Sequence, residues 1–243
     1  MDRIEGKNPV FEALKAGREI EKLLLLKSSN EQRLKQLERL ARKQGVEIEF
    51  VARQVLDKMS QSHAHQGVIA KAEPLSYLSL NQLLTKIRDK KESLIVILDE
   101  IQDPHNFGSI LRTAEAAGCD GVIIPERRAV GFTPVVAKTS AGAVEHLPVA
   151  RVKNIARTIE QLKEEKFWLA GADAEAKQTA YQADLAGRIG LVIGNEGRGL
   201  RRLVKERCDF LVKLPLEGQV ESLNASVAAG ILIYESLRQK KGD

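Results

Sequence analysis

Cysteine is scarce: Cys119 and Cys208 are the only two in 243 residues. Thiols so few and so far apart in the chain cannot build a four-ligand zinc site, and a reducing, cytoplasmic setting is expected. Long apolar runs are also missing. The longest, such as Leu94–Leu98 and Gly190–Gly194, fall far short of the roughly 20 residues needed to cross a bilayer, so no membrane role is expected. The opening MDRIEGKNPV has no apolar core of the kind a secretory signal needs. Aromatic residues are few, at 4 %, and the single tryptophan, Trp168, stands in an apolar stretch that reads as core. What remains is 43 % hydrophobic and 29 % charged, ordinary for a globular chain, which excludes bulk disorder. The length fits one large domain or two small ones.

The net charge of +5 is unevenly spread. Residues 1–72 carry 14 Lys/Arg against 10 Asp/Glu, residues 73–93 carry 4 against 3, and residues 94–243 carry 20 against 20. The excess lies in the first third. A basic module joined to a neutral one fits a chain whose first part meets a polyanion, and equally a solvated surface that happens to be basic.

The first 72 residues alternate helix and strand. Residues 8–17 read as a helix, with Asn8 as cap, Pro9 at the first position and Gly17 as stop. Strands are expected at 21–27, 46–51 and 67–71, with helices at 30–44 and 53–60. The stretch 73–93, opened by Pro74 and closed by RDKKES, reads as a linker with one or two helical turns. From Leu94 onward, short apolar strands (94–99, 121–124, 167–172, 189–193 and 210–214) alternate with helices at 106–117, 134–140, 153–165, 200–206 and 225–238. That pattern indicates a parallel sheet covered on both faces, with a site beyond the carboxyl ends of its strands.

Three loops at those strand ends are polar. The first, Asp99–Ala114, contains Asn106, a plausible helix cap, and Arg112 inside an otherwise apolar helix. An arginine there needs an anion or a carboxylate partner such as Glu115 or Glu196. The second, Ile193-Gly194-Asn195-Glu196-Gly197-Arg198-Gly199, has three glycines in six residues. It matches neither the dinucleotide fingerprint nor the P-loop and reads as a close approach to a ligand or as a plain turn. The third, Leu214–Ala228, offers Ser222 and Asn224 as caps for the last helix. Capping alone does not explain three polar loops at three strand ends of one sheet.

Taken together, Asn106–Arg112, Gly194–Gly199 and Pro215–Ala228 resemble, in order, the three motifs of the SpoU (TrmH) family of RNA ribose 2′-O-methyltransferases, within the SPOUT class. The segments Gly6–Leu14 and His65–Val68 resemble that family's substrate-binding module, which is similar to L30e/L7Ae-type RNA binders. The likeness spans nearly the whole chain. It is strongest to the branch that methylates a guanosine ribose in the peptidyl-transferase region of 23S rRNA; the alternatives are ribose methylation of tRNA and a non-catalytic RNA-binding role in ribosome assembly. The resemblance implies an α/β catalytic domain at 94–243 with a deep trefoil knot, a small L30e-like RNA-binding domain at 1–72 and a linker at 73–93. It implies S-adenosylmethionine as cofactor, with Gly194, Leu214 and Leu223 lining the adenine pocket, and a homodimer. By the same likeness Arg112 activates or stabilises the attacking hydroxyl, Asn106 and Asn224 position, Glu196 orients Arg112 or the ribose, and Ser222 contacts substrate. Arg3, Lys7, Asn8, Lys15, Arg18, Lys22 and His65 are the candidate RNA contacts. The partner would be ribosomal RNA or a large-subunit assembly intermediate. No metal is expected, and His63 and His65 read as a turn or an RNA contact.

Overall fold

The order of strands in space is not their order in the chain, and that difference creates the site. The computed structural model describes residues 1–27, 31–61 and 64–242. They form two units, one of Met1–Ser76 with Gly131–His146, the other of Tyr77–Val130 with Leu147–Asp243.

The first unit runs β1 (Asp2–Glu5), α1 (Lys7–Lys15), β2 (Ile20–Leu26), α2 (Gln32–Lys43), β3 (Glu47–Val51), α3 (Arg53–Met59) and β4 (Val68–Ala72). The sheet order is β1-β4-β2-β3, with β2 and β3 parallel and β4 antiparallel to both its neighbours. Val10, Ala13 and Leu14 of α1 and Leu34, Leu37 and Ala41 of α2 pack on Leu23, Leu25 and Ala70. Leu56 of α3 packs with Leu24 and Ile69 in a separate cluster. The strand β1 is too short and charged to show as a periodicity. Asn8 does not cap α1: the cap is Gly6, at φ +96°, a conformation glycine adopts without strain. His63 lies outside the described residues.

The segment 131–146 contributes α6 (Pro134–Thr139) and one 3-10 turn at Ala143–Glu145 to this first unit. The sequence reading places it inside the 94–243 domain that the family resemblance implies. The reason for the grouping is packing. Val136 and Val144 are buried, and a Cβ at Gly142 would lie 2.6 Å from Cβ of Glu12. Arg18 donates to Glu145 at 2.7 Å, and Nε2 of His146 lies 2.9 Å from Glu12.

The second unit contains α4 (Leu80–Ile87), β5 (Ser93–Asp99), α5 (Pro104–Ala116), β6 (Gly121–Pro125), β7 (Val149–Val152), α7 (Ile155–Glu164), β8 (Trp168–Ala172), β9 (Gln178–Thr179), β10 (Arg188–Gly194), α8 (Arg202–Arg207), β11 (Phe210–Lys213) and α9 (Ala225–Lys241). Its seven strands are ordered β7-β6-β5-β10-β8-β11-β9, and every pairing is parallel. The strand β10, late in the chain, is inserted between β5 and β8. The carboxyl ends of β5 and β10 are thereby brought side by side, with Gly194 opposite Asp99.

Most of the stretch expected as a linker belongs to this unit. Ser79 and Gln82 form a reciprocal capping box on α4, whose Leu80, Leu83 and Ile87 join Ile155, Ile159 and Leu162 of α7 in one core. Trp168 differs from the expectation: it opens β8 at 62 % exposure, while its neighbour Leu169 is fully buried. The first position of the strand turns outward and the second faces the core.

Candidate active site

The helix α5 starts two residues earlier than the sequence pattern suggests. Asp103 is its cap, accepting from the His105 amide at 2.9 Å, and Pro104 follows at the first helical position. Asn106 is thus relieved of capping. It sits in the first turn, buried, with its amide free for other partners.

Those partners come from the other two loops. Nδ2 of Asn106 donates to Oε1 of Glu196, in the loop after β10. Oδ1 of Asn106 accepts from Nδ2 of Asn224 at 2.9 Å. The direction of this chain is fixed by a helix terminus. Oδ1 of Asn224 caps α9, accepting from the Ser226 amide at 2.9 Å and the Ser226 hydroxyl at 2.6 Å. With its oxygen committed to the cap, Asn224 can present only its NH2 to Asn106, and Asn106 in turn can present only its NH2 to Glu196. One line of hydrogen bonds therefore joins the ends of β5 and β10 to the start of α9.

The loop after β10 is held closed from inside. Asn195 and Gly199 pair as an antiparallel bridge, with Gly199 N donating to Asn195 O at 2.8 Å. A Cβ on Gly194 would lie 2.2 Å from the Gly199 carbonyl carbon, so only glycine allows the chain to fold back here. Asn195 donates to the Glu100 carbonyl oxygen at 3.1 Å and accepts from the Gly197 amide at 3.0 Å.

Below the loop, the buried carboxylate of Asp99 receives the Arg201 amide at 3.0 Å and its guanidinium at 2.8 and 2.6 Å. Arg201 also reaches Glu100 at 3.3 Å, and the bond to Asp99 raises its pKa further above the usual arginine value. The sequence reading does not single out Asp99, Asn195 or Arg201. The available signal is a carboxylate ending a fully apolar strand.

Arg112 stands apart from this line. Six positions on from Asn106, it sits about 120° round α5 and roughly 9 Å along it. It is exposed, and among the described residues it makes no hydrogen bond or ion pair. The expected alternatives, a bridge to Glu115 or Glu196, are not formed. Its neighbour Thr113 faces α9, where a Cβ on Gly230 would meet it at 3.6 Å. Ser222 is likewise exposed, in the loop before α9. Gly194, Leu214 and Leu223 are all half-buried: at the end of β10, just after β11 and just before α9. Such residues offer backbone groups and apolar edges near the carboxyl ends of their strands.

In the first unit the candidate cations are largely engaged. Lys7 pairs with Glu31, Lys15 with Glu12 at 3.5 Å, and Lys22 with Glu47 at 2.6 Å, a bond that raises the Lys22 pKa. Arg18 is taken up internally: its side chain is 8 % exposed and bonded to Asp2, Glu145 and the Glu73 carbonyl oxygen. Arg3 donates to the Met59 carbonyl oxygen at 2.9 Å. Asn8 accepts from Arg33 at 3.4 Å. His65 is buried, with Nε2 2.9 Å from Asp57 and Nδ1 accepting from the Gly67 amide at 3.0 Å. It shares a cleft with Lys7, Arg53 and Gln66. Arg53 and the α2 stripe of Lys35, Arg39 and Lys43 are exposed cations that the sequence reading does not select.

A parallel α/β sheet with polar loops wired together at its carboxyl edge, and a second unit built on a small mixed sheet, define a two-unit α/β protein. Residues 93–234 match the SpoU rRNA Methylase family, and residues 3–78 match the RNA 2′-O ribose methyltransferase substrate-binding family. The chain is 49 % identical over 240 residues to YacO of Bacillus subtilis, whose name assigns it to the TrmH family of tRNA/rRNA methyltransferases. That alignment covers 98 % of this chain and 96 % of YacO. The SpoU methyltransferase AviRb of Streptomyces viridochromogenes, solved with AdoMet, superimposes with a TM-score of 0.83 at 27 % identity, covering 98 % of this chain and 89 % of AviRb. A solved RNA 2′-O ribose methyltransferase gives 0.82 at 28 % identity, covering 98 % and 88 %. The chain belongs to the SpoU/TrmH family of RNA methyltransferases. No helix among the described residues is long and apolar enough to cross a membrane.

Proposed function

We propose that this protein transfers a methyl group from S-adenosylmethionine to the ribose 2′-hydroxyl of a guanosine in the peptidyl-transferase region of 23S rRNA, an RlmB-like reaction, in the cytoplasm. The observation that carries the chemistry is the Glu196–Asn106–Asn224 line, which joins all three motif loops at one sheet edge. The substrate reading is supported by the match of residues 3–78 to the substrate-binding family. In this division of labour residues 1–72 grip ribosomal RNA, or an assembly intermediate containing it, and residues 94–243 carry the chemistry.

S-adenosylmethionine, when bound, supplies a methyl group already activated as a sulfonium. Gly194, Leu214 and Leu223 would hold its adenine end. The protein must then place the 2′-oxygen and deal with its proton. A guanidinium is a poor base, so the role of Arg112 is that of a cation. As an exposed cation with no carboxylate partner among the described residues, it is free to hold the phosphate beside the target ribose and to stabilise charge growing on the 2′-oxygen. Asn106 and Asn224 set the position of the Glu196 carboxylate, whose role is to orient the ribose, and Ser222 contacts the substrate strand. The exposed apolar residues Val227 and Tyr234, seven apart on α9, suit the face of a homodimer. The family's trefoil knot is the threading we assign to the C-terminal segment.

The test is methyl transfer from labelled S-adenosylmethionine to unmodified 23S rRNA and, in parallel, to unmodified tRNA, with the site mapped by primer extension. A single stop at a guanosine of the peptidyl-transferase region is expected, absent with Arg112→Ala, which should still bind cofactor. A stop in tRNA alone would overturn the substrate, and turnover within a few-fold of wild type for Arg112→Ala would overturn its role.

A further inference from the structure

A second cleft opens at the carboxyl edge of the same sheet, beside β6 and β7, with a volume of about 410 Å³. Three cationic side chains line it: Arg151 at the end of β7, Lys153 in the turn after it and Arg157 in the first turn of α7. Arg151 is fixed in place. Its guanidinium lies 4.6 Å from the centroid of the Tyr77 ring, and Nη2 donates to the Glu126 carbonyl oxygen at 3.0 Å. Its Nε is buried and, among the described residues, has no partner. Lys153 and Arg157 are exposed and, among the described residues, form no ion pair. Among the lining residues Glu126 is the only carboxylate, so the cleft carries a local excess of positive charge.

The topology adds to this charge. Leu78 pairs with Ala150 as a parallel bridge, so α4 begins beside the place where α7 begins. Ser79 and Asn154, the two caps, both line the cleft. Each cap satisfies an amide, at Gln82 and Arg157, and the remaining first-turn amides have no intrahelical acceptor. The positive ends of two helix dipoles therefore point the same way as the three side chains.

We infer that this cleft is a phosphate-backbone subsite for the RNA strand on one side of the target nucleotide. The inference rests on the reading that the protein methylates RNA. Its place supports it: β7 lies two strands from β5, roughly 10 Å along the sheet edge from the loop that carries Asn106. An RNA strand leaving that loop along the carboxyl edge meets the cleft within a few nucleotides. A charged edge of this kind holds backbone without reading sequence. Arg151 supplies a guanidinium already oriented, and Lys153 and Arg157 supply mobile charges that close on the strand.

The test is a salt titration of binding between the full-length protein and a 23S rRNA fragment of the peptidyl-transferase region, comparing wild type, Lys153→Ala/Arg157→Ala and the control Lys86→Ala/Lys91→Ala, whose exposed cations lie elsewhere in the same unit. The cleft double variant is expected to bind about tenfold or more weakly near 0.1 M salt, with the slope of log K against log salt reduced by about 1.5 to 2. Cofactor binding and melting temperature should be unchanged, and the control pair should stay near wild type. An unchanged slope in the cleft variant, while wild type still methylates the RNA, overturns the subsite and leaves the proposed function standing. Equal losses in both double variants reduce the effect to net charge and also overturn it. Failure of wild type to bind or methylate the fragment removes both.

Discussion

Asn224 does two jobs that a single substitution separates. Aspartate caps a helix as well as asparagine, so Asn224→Asp keeps the terminus of α9 intact. It replaces the NH2 that faces Asn106 with an acceptor, however. Asn106 must then turn its own NH2 to the new carboxylate and its oxygen toward the Glu196 carboxylate. Thermal stability within about 1 kcal/mol of wild type is expected, with turnover down about ten- to a hundredfold. Wild-type turnover would show that the line of amides is structural only. The cysteines offer a second test. Burial pushes the thiols of Cys119 and Cys208 up to about 12, so both should be unreactive toward a maleimide at about pH 7.5 until the protein unfolds. Rapid labelling of the native protein would contradict this environment.

At the scale of elements, α9 is tied down at both ends. Its start is capped by Asn224, and near its end Ser236 and Gln239 bond the 183–185 segment: Ser236 Oγ to Leu185 O at 2.7 Å and Gln239 Nε2 to Ala183 O at 3.0 Å. Glu235 holds Gln239 and Arg238 in place, and the hydrogen bond from Arg238 lowers the Glu235 pKa. A carboxylate with a depressed pKa in the folded state stabilises above its unfolded value, near about 4.3, and that contribution is lost as pH falls through the folded value. The stability difference between wild type and Glu235→Gln should therefore be full at about pH 7 and shrink as the pH drops below about 4. A difference constant from about pH 7 to about pH 3 would remove the ion pair from the account. The helices are legible where apolar residues recur: Ile110, Leu111 and Ala114 mark α5. Its start is displaced by two residues in the sequence reading because Asn106 is as good a cap as Asp103, and only the Pro104 that follows Asp103 decides between them. The bond between Asn106 and Glu196 is beyond the reach of spacing. It depends on β10 lying beside β5, and nothing local in the sequence around either strand says which partner it takes.

On the scale of the whole molecule, the boundary between the two units follows packing and not order along the chain. Residues 131–146 belong with Met1–Ser76 because Gly142 lies against Glu12 and Glu145 against Arg18. Deleting the first 76 residues should therefore do more than remove the module that matches the substrate-binding family. It should leave Val136 and Val144 without their cover, and the shortened protein should be poorly soluble. Exchanging 131–146 in that shortened protein for a Gly/Ser segment of equal length should restore solubility, as read by gel filtration. Equal behaviour of the two truncations would show that the segment needs no partner.

The same arrangement has a consequence for synthesis. About 70 residues separate Ser76 from His146, and at roughly 5–20 residues per second a ribosome takes on the order of 4–14 s to add them. Throughout that interval the emerging N-terminal module lacks the carboxylate that completes Arg18 and the turn that seats on α1. The strands β5 and β6 have left the ribosome before the module can close. A nascent chain arrested before His146 holds an unfinished clasp.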